Sequence, residues 1–253
     1  MEYMRQKKNP NIITHNLTSS KIKKPTKIVM LNDLHIDKNV SPKRIRQIVE
    51  RVNAQNPDAI VLVGDTVEIS PEKLAPQMVE LKKLKAKDNV YFTLGNHEFY
   101  AGAFSTALNL SGLGFVLLNN SGFKMDGYDV FMAGIPDIDT AQNHKMGVRF
   151  KNAIYGAAKD DYVILLSHAP KLAEDVSKDN IDLQLSGHTH GGQIYPFHYF
   201  AKQGNEGRLA GFYDIDGVKM YISRGAGYWG VPMRIFAPSE ITVFNLIPES
   251  NGK

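Results

Sequence analysis

Five short polar segments lie in a fixed order along the chain, and their side chains are of the types that bind metal ions. Each segment offers a carboxylate, an amide or an imidazole group. The five segments are Asp33-Leu34-His35, Gly64-Asp65, Gly95-Asn96-His97-Glu98, His168 and Gly187-His188-Thr189-His190. The chain contains no cysteine, which excludes thiolate sites, and oxygen and imidazole ligands favour Mn²⁺, Fe or Zn²⁺. These residue types predict a metal centre that performs hydrolysis.

The polar segments stand at the ends of apolar runs, and the spacing of the runs predicts how the chain folds. Five apolar runs predict buried strands, at 27–31, 59–63, 90–94, 162–166 and 182–186. Ser41-Pro42 and Ser70-Pro71 each predict the start of a helix. Asp65 lies 32 residues after Asp33, which is about the length of one strand–helix–strand unit. Repeated units predict parallel strands whose carboxyl ends meet at one edge, where open α/β sheets bind ligands.

The order of the five segments resembles the calcineurin-like metallophosphoesterase superfamily, whose pattern is Asp-x-His, Gly-Asp, Gly-Asn-His-(Asp/Glu), a lone His and Gly-His-x-His. Further segments are similar to a subgroup with UDP-diacylglucosamine hydrolases of the lipid A pathway and related membrane-associated phosphodiesterases. They are Ser167-His168-Ala169-Pro170, Gly187 to Ile194, Ser223 to Gly227 and Pro232-Met233-Arg234. The resemblance implies a four-layer α/β/β/α sandwich.

The resemblance also implies two divalent metal ions and a ligand set for each. One ion would be held by Asp33, His35 and His190. The other would be held by Asn96, His168 and His188. Asp65 would bridge both ions, which in such centres lie roughly 3.5–4 Å apart and lower the pKa of a shared water, so that its hydroxide attacks phosphorus. His97 would not bind metal but would stabilise charge or protonate the leaving group.

Two acids near these ligands are less readily assigned. The resembled family often has Asp three residues after the bridging Asp, whereas this chain has Glu68 there. The additional methylene group is expected to shift a hydrogen bond that supports a metal ligand. Glu98 is an allowed variant of its motif, and we interpret it as a capping or salt-bridging acid.

The substrate is predicted from residues 194–234, where the signal is less specific. Aromatic and aliphatic side chains are frequent there, namely Ile194, Tyr195, Phe197, Tyr199, Phe200, Leu209, Phe212, Tyr213, Tyr228 and Trp229. They either pack the second half of the core or form an apolar wall near the metals, suited to acyl chains or a nucleobase. Arg224 and Arg234 are candidates to bind a substrate phosphate through two parallel hydrogen bonds.

The positive charge of the chain is concentrated at its beginning. Residues 1–27 carry seven Lys or Arg residues and one acid, a net charge of +6, whereas the remaining chain has a net charge of −2. We predict a basic, extended arm over residues 1–26 and a metallophosphoesterase domain over residues 27–248. The arm is either a solvated tail or a segment attracted to anionic lipids. Binding to nucleic acid is disfavoured, since only Tyr3 is an aromatic residue among the basic ones.

The sequence predicts an enzyme that hydrolyses phosphoester or pyrophosphate bonds with two divalent metal ions, Mn²⁺ first and Fe or Zn²⁺ as alternatives. The first substrate class is a lipid-linked or nucleotide-sugar pyrophosphate, with UDP-diacylglucosamine in lipid A synthesis as the specific guess. A broad phosphodiesterase, a nucleotide phosphatase and a metal-stabilised binding module without turnover are the alternatives. The predicted location is the cytoplasm or the membrane surface, with an anchor upstream of Met1 left open, because no run of 18 apolar residues is present.

Overall fold

The computed structural model describes residues 9–144 and 147–249, and it contains two six-stranded sheets packed face to face. The strands are β1 (Asn11–Ser19), β2 (Thr26–Leu31), β3 (Ala59–Val63), β4 (Val90–Thr93), β5 (Val116–Leu117), β6 (Ser121–Lys124), β7 (Val130–Gly134), β8 (Tyr162–Leu166), β9 (Leu183–Ser186), β10 (Gly211–Ile215), β11 (Val218–Ile222) and β12 (Glu240–Pro248). The helices are α1 (Pro42–Asn53), α2 (Ala75–Leu81), α3 (Asn96–Ala101), α4 (Ala103–Gly112), α5 (Ile138–Asn143), α6 (Phe150–Ala153) and α7 (His198–Gly204). Short 3-10 helices span Pro71–Leu74 and His190–Gly192.

Both sheets are mixed, with a parallel centre. The first has the order β1-β12-β2-β3-β4-β5, and β2 to β5 run parallel as the spacing of the motifs predicts. The second has the order β10-β11-β9-β8-β7-β6, with parallel β11, β9, β8 and β7 between antiparallel edge strands. The predicted α/β/β/α sandwich is confirmed.

Alternating side chains of the central strands fill two separate layers of the core. In β2, Ile28 and Met30 point between the sheets, where they contact residues of the second sheet such as Ile164. Val29 and Leu31, one position along, pack in the layer that includes the buried face of α1. The same alternation in β8 sends Val163 and Leu165 to a third cluster, which includes residues of α6. The central strands of each sheet are thus buried on both faces.

The two predicted helix starts are confirmed, with one difference. Ser41 caps α1 by accepting a hydrogen bond from the Arg44 backbone N–H at 3.2 Å. The helix expected after Ser70 is divided into the 3-10 helix Pro71–Leu74 and α2. Pro76 explains the division, since proline lacks the N–H that a continuous helix would use and favours the first turn of a new one.

Part of the predicted N-terminal arm belongs to the first sheet. Strand β1 pairs in parallel with β12 along its whole length, from Asn11 opposite Glu240 to Ser19 opposite Pro248. The basic residues Arg5, Lys7 and Lys8 lie outside the described residues, and the boundary at residue 26 stays a prediction. Among the residues that the structure describes, no helix is long and apolar enough to cross a bilayer.

Candidate metal centre

The predicted metal ligands lie on the loops that leave the carboxyl ends of β2, β3, β4, β8 and β9. Five of them have left-handed backbone, with φ between 46° and 70°: Asp33, His35, Asp65, His188 and His190. Asp and His tolerate this conformation better than most residues, but it is still uncommon. Such strain persists only where surrounding structure enforces it, and it is concentrated at functional sites.

Close approach between these loops depends on glycine. A Cβ atom on Gly95 would lie 2.2 Å from Asp65 Oδ1, and one on Gly64 would lie 2.4 Å from His168 Nδ1. Both distances are far inside van der Waals contact. The two glycines in the predicted motifs therefore permit Asp65 and His168 to occupy their positions.

The first group of ligands consists of Asp33, His35 and His190, as predicted. Their ligand atoms all lie within 4.8 Å of one another. The Nε2 atoms of the two histidines are 2.9 Å apart, and Asp33 Oδ1 lies 3.7 Å from that of His35 and 3.5 Å from that of His190. All three side chains are buried. Asn32 Nδ2 donates to Asp33 Oδ2 at 2.5 Å, which orients this carboxylate.

The second group consists of Asp65, His168 and His188, with Asn96 beside them. Asp65 Oδ2 lies 3.0 Å from His168 Nε2, and His188 Nδ1 lies 3.0 Å from Asn96 Oδ1. The same Asp65 oxygen is 3.7 Å from His35 Nε2, in the first group. Asp65 therefore lies between the two groups, in the position that the sequence predicts for a bridging carboxylate.

The fit of a metal ion to this site rests on His168. Its Nδ1 lies 2.9 Å from the carbonyl oxygen of Val63. A carbonyl only accepts, so Nδ1 carries a proton and donates it, which leaves Nε2 as the ligand atom of the neutral ring. In that tautomer the buried Nε2 and Asp65 Oδ2, 3.0 Å apart, are two acceptors that face each other. Two acceptors this close require a positive charge between them, and either a proton on Nε2 or a metal ion supplies it.

Charge in the site favours the binding of cations. Burial opposes ionisation of Asp33 and Asp65, but the neighbouring histidines outweigh it and hold the pKa of both carboxyl groups below the ordinary range. Burial lowers the pKa of His190 to about 3 and also lowers that of His188, so both rings are neutral, as metal ligands must be. For His168, burial is outweighed by Asp65, which raises its pKa, and a metal ion would compete with that proton.

Glu68 joins a ligand of the first group to the predicted catalytic histidine. One of its oxygens contacts His35 Nδ1, and the other lies 2.9 Å from His97 Nδ1. Burial opposes its ionisation, but these two rings lower the pKa of Glu68 to about 2. An ionised Glu68 accepts from both Nδ1–H groups and leaves the Nε2 atoms facing the centre.

His97 lies at the edge of the ligand cluster and is more accessible than the ligands. Its Nε2 is 4.0 Å from Asp65 Oδ2, and its side chain retains 14% exposure, against 1% for His35 and none for His168. The rings of Tyr100 and Trp229 flank it, with centroids 5.4 Å and 6.3 Å away. This position suits a group that meets substrate at the opening of the site.

Glu98 has a larger part in the site than sequence reasoning assigns to it. It is buried, and its Oε2 accepts from the backbone N–H of Gly95 at 2.7 Å, which confirms a capping role at the start of α3. The same carboxylate also accepts from the backbone N–H groups of Asp65, Thr66 and Val67 at 2.6–3.1 Å. Glu98 thus ties the loop of Asp65 to that of Asn96.

The two candidate phosphate-binding arginines have different surroundings. Every nitrogen of the Arg234 guanidinium donates within the chain, to carbonyl oxygens that include those of Gly227, His190 and Arg224. Arg224 is more exposed and pairs with Glu240 at 2.8 Å, while its aliphatic part packs over Gly191 beside His190. The geometry gives Arg234 a structural role and leaves Arg224 nearer to solvent. Contact of either with substrate stays a prediction.

Most of the aromatic residues after the last motif do not pack into the core. The exposed ones are Tyr195, Phe197, Tyr199, Phe200, Phe212 and Trp229. These rings therefore do not fill the interior, although one side of Phe212 packs against the buried ring of Tyr221. Sequence reasoning did not identify Asn32 or the scaffolding roles of Glu98 and Arg234. For Asn32 and Glu98 the only available signal is adjacency to predicted ligands.

Comparison with known proteins identifies relatives of the whole domain. The sequence model of the calcineurin-like phosphoesterase family matches residues 26–192. An uncharacterized metallophosphoesterase of Campylobacter jejuni is 34% identical over 242 residues, which cover 94% of this chain and 64% of that protein. A Danio rerio protein described as a transmembrane protein with metallophosphoesterase domain is 32% identical over 229 residues, which cover 85% of this chain and 52% of the relative. The chain thus spans less than two thirds of the length of these curated relatives.

A solved structure supports the fold. The crystal structure of a dimetal phosphatase from Danio rerio superposes with a TM-score of 0.52 at 12% identity, covering 79% of this chain and 88% of that one. At this identity the likeness shows a shared α/β sandwich.

Proposed function

The chain belongs to the calcineurin-like phosphoesterase family, and we propose that it hydrolyses a phosphodiester or pyrophosphate bond with two divalent cations. It is a metal-dependent phosphoesterase with buried His and Asp groups suited to a dinuclear site. In the proposal, Asp33, His35 and His190 hold one cation, Asn96, His168 and His188 hold the other, and Asp65 bridges them. The observation that carries this assignment is the buried Nε2 of His168, which in the neutral ring faces the Asp65 carboxylate at 3.0 Å as one acceptor facing another.

The donor set fits Mn²⁺ first, with Fe and Zn²⁺ as alternatives, since it consists of carboxylate, amide and imidazole groups and lacks thiolates. When bound, such a pair of ions supplies an activated water and neutralises phosphoryl oxygens. The protein contributes the spacing of the two ligand groups. It also limits the access of solvent to them, since five of the seven proposed ligands are buried and Asn96 and His188 are half-buried.

His97 is proposed as the group that donates a proton to the leaving oxygen. Its Nδ1–H donates to Glu68, so Nε2 faces the site, and the ring acts as proton donor only when Nε2 also holds a proton. The ionised Glu68 stabilises the protonated ring, and the same carboxylate holds His35 in place. Glu68 would therefore couple the orientation of a metal ligand to that of the proton donor.

A lipid-linked or nucleotide-sugar pyrophosphate is the proposed substrate class, and UDP-diacylglucosamine is the first specific compound to test. Two features support an acyl-bearing substrate. Exposed aromatic rings stand next to the site, and an apolar groove of about 500 Å³ is lined by Phe104, Leu108 and Leu94, the last of which directly precedes the Gly95-Asn96-His97 segment in sequence. The relative described as a transmembrane protein is consistent with work at a membrane. Arg224 is the proposed phosphate contact.

The assignment is tested with two variants. His97→Ala should retain two metal ions per chain and lose roughly 10²–10⁴-fold in turnover of an aryl phosphodiester, as expected for a lost proton donor. Asp65→Ala should lose both metal and activity. Full metal occupancy in Asp65→Ala would contradict the bridging role of Asp65, and undiminished turnover in His97→Ala would contradict the role of His97 as proton donor.

A substrate panel then separates the alternatives. The panel pairs UDP-diacylglucosamine with a soluble aryl phosphodiester and nucleoside monophosphates, each at the same metal loading. Cleavage of the aryl ester with no cleavage of UDP-diacylglucosamine would exclude the specific guess and favour a broad phosphodiesterase. Selective release of phosphate from the nucleotides would favour a nucleotide phosphatase.

A further inference from the structure

An unusual number of aromatic side chains project into solvent beside the metal centre. We name them, with one neighbouring valine, the aromatic face: Tyr195, Phe197, Tyr199, Phe200, Trp229 and Val231. Their exposed fractions are 52%, 61%, 63%, 69%, 58% and 55% respectively. None of the seven residues of α7 is buried. A helix of this length gains little from its own hydrogen bonds in water and normally depends on burial of an apolar side.

The aromatic face is one connected surface. The side chain of Gln193 joins its two halves, since Nε2 donates to the Trp229 carbonyl and Oε1 accepts from the Trp229 backbone N–H, each at 2.8 Å. The Tyr195 N–H donates to the carbonyl of Ile235 at 3.3 Å, which fixes the start of the α7 segment against the second loop. The rings of Phe197 and Phe200 lie 6.4 Å apart between centroids.

The same surface borders the metal centre on two sides. Gly192, two residues after His190, packs so closely on His198 that a Cβ would lie 2.3 Å from its Cα atom. The α7 segment is therefore held directly against the loop of the metal ligands. On the other side, the Trp229 ring lies 6.3 Å from that of His97. Whatever covers the aromatic face also covers the opening of the site.

The charges around the face indicate what could cover it. Residues 187–205 and 227–239 contain no Asp or Glu, although the chain has 26 acidic residues in total. Lys202 is exposed within α7. The nearest following acid, Glu206, is neutralised by Arg208 at 2.7 Å. A surface with rings, a cation and no free carboxylate complements an anionic or zwitterionic lipid surface.

We propose that the aromatic face is a membrane-docking surface, which inserts its rings into the headgroup region of a bilayer and presents the metal centre to lipid phosphates. Tyr and Trp are favoured at this depth because an apolar ring and a polar group meet two environments. Phe197 and Phe200 would enter furthest, as in helices that lie in the interface. That the metal centre then cleaves lipid phosphates rests on the proposed function, whereas docking of the aromatic face to the bilayer does not.

The described lysines of the N-terminal arm point to the opposite edge of the sandwich. The backbone N–H groups of Lys23 and Lys24 donate to Asp129, which precedes β7, at 2.8 Å and 3.2 Å. This is the edge where strands begin, whereas the metal centre lies where they end. If these lysines bound a membrane, the opening of the metal site would therefore face away from that membrane.

Trp229 is the only tryptophan of the chain, so its fluorescence reports on the face directly. The full chain, loaded with Mn²⁺, is mixed with phosphatidylcholine vesicles with and without phosphatidylglycerol. We expect the emission of Trp229 to shift to shorter wavelength and to be quenched by lipids brominated in the acyl chain. Unchanged emission with both vesicle types would overturn the proposal.

Two double variants test the position of the contact by vesicle sedimentation. Phe197→Ser with Phe200→Ser should lower the partition coefficient roughly tenfold or more, since two exposed rings no longer enter the interface. Phe123→Ser with Tyr155→Ser removes two exposed rings elsewhere and should bind as the parent does. Equal losses in both, or no loss in the first, would overturn the proposal.

Three further measurements distinguish docking through the aromatic face from binding through the arm and from self-association. The double variant Lys23→Gln with Lys24→Gln should show the same emission shift as the parent. Loss of the shift in this variant would mean that the arm binds the membrane and the aromatic face does not. Self-association that is lost in the Phe197/Phe200 variant, without any vesicle binding by the parent, would show that a second copy covers the face. Hydrolysis of a soluble aryl phosphodiester by the parent without vesicles tests the proposed function separately.

Discussion

Replacement of Glu98 by Gln should disrupt the metal centre although Glu98 is not among the proposed ligands. Both oxygens of the carboxylate are acceptors. Oε2 receives the N–H groups of Asp65 and Gly95, and Oε1 receives those of Thr66 and Val67. A glutamine has only one acceptor oxygen. Its NH₂ group would face two N–H donors in either orientation, and the site is buried.

The magnitude follows from the lost hydrogen bonds. Two bonds to a charged acceptor are worth roughly 1.5–3 kcal/mol each, which gives about 3–6 kcal/mol. Part of this is offset, since burial and the nearby Asp65 raise the pKa of Glu98 to about 7 and the glutamine removes that unfavourable charge. We therefore expect the free energy of unfolding to fall by at least about 2 kcal/mol.

The assay combines urea unfolding of the metal-free protein with metal analysis of the loaded protein. Glu98→Gln should be less stable and should retain less than one metal ion pair per chain, because the loop of Asp65 is no longer tied to that of Asn96. Glu50→Gln, on the exposed side of α1, is the matched control and should change neither value. Parental stability and metal content in Glu98→Gln would refute the reasoning.

Two further predictions concern packing and acid stability. Gly64→Ala and Gly127→Ala introduce the same methyl group at φ values of 72° and 71°, but only the first meets a side chain, the ring of His168, since the surroundings of Gly127 are open. In both variants the left-handed backbone should lower the free energy of unfolding by about 1–2 kcal/mol. Only Gly64→Ala should also lose bound metal and at least tenfold in activity. Equal metal content and activity in the two variants would contradict the proposed role of His168. Arg46 and Lys83 lower the pKa of Glu80 from 4.5 to about 2. The stability that this cluster contributes is present above pH 4.5 and is lost as the pH falls towards 2. The thermal midpoint of Glu80→Gln should therefore change less between pH 4.5 and 2 than that of the parent. Midpoints that fall in parallel with pH in both proteins would disprove the contribution of Glu80.

The order of strands and ligands could be predicted because both follow from local patterns. Apolar runs such as 59–63 are buried on both faces of a parallel sheet, and the polar residue after each run must then lie at the carboxyl edge. Asp33, Asp65 and His168 were placed in this way, and the structure brings them together.

The supporting contacts could not be predicted, since they join residues that no local pattern connects. Arg234 donates to carbonyl oxygens of two separate loops, those after β9 and β11, and the sequence predicts it only as a phosphate ligand. The division of the helix at Pro76 has a local cause, but the apolar residues on both sides of Pro76 keep a helical spacing and therefore predict one continuous helix.

The sequence by itself predicted the reaction class, because the types and order of Asp33, Asp65, Asn96 and the four histidines resemble the metal-binding pattern of one phosphoesterase family. The tertiary structure decided which atoms face one another. The approach of His168 Nε2 to Asp33 and Asp65 and the contacts of Glu68 with two histidines depend on distances between loops that are up to 135 residues apart, from Asp33 to His168. It also decided which aromatic rings are exposed, because exposure depends on what packs against a segment and not on its composition.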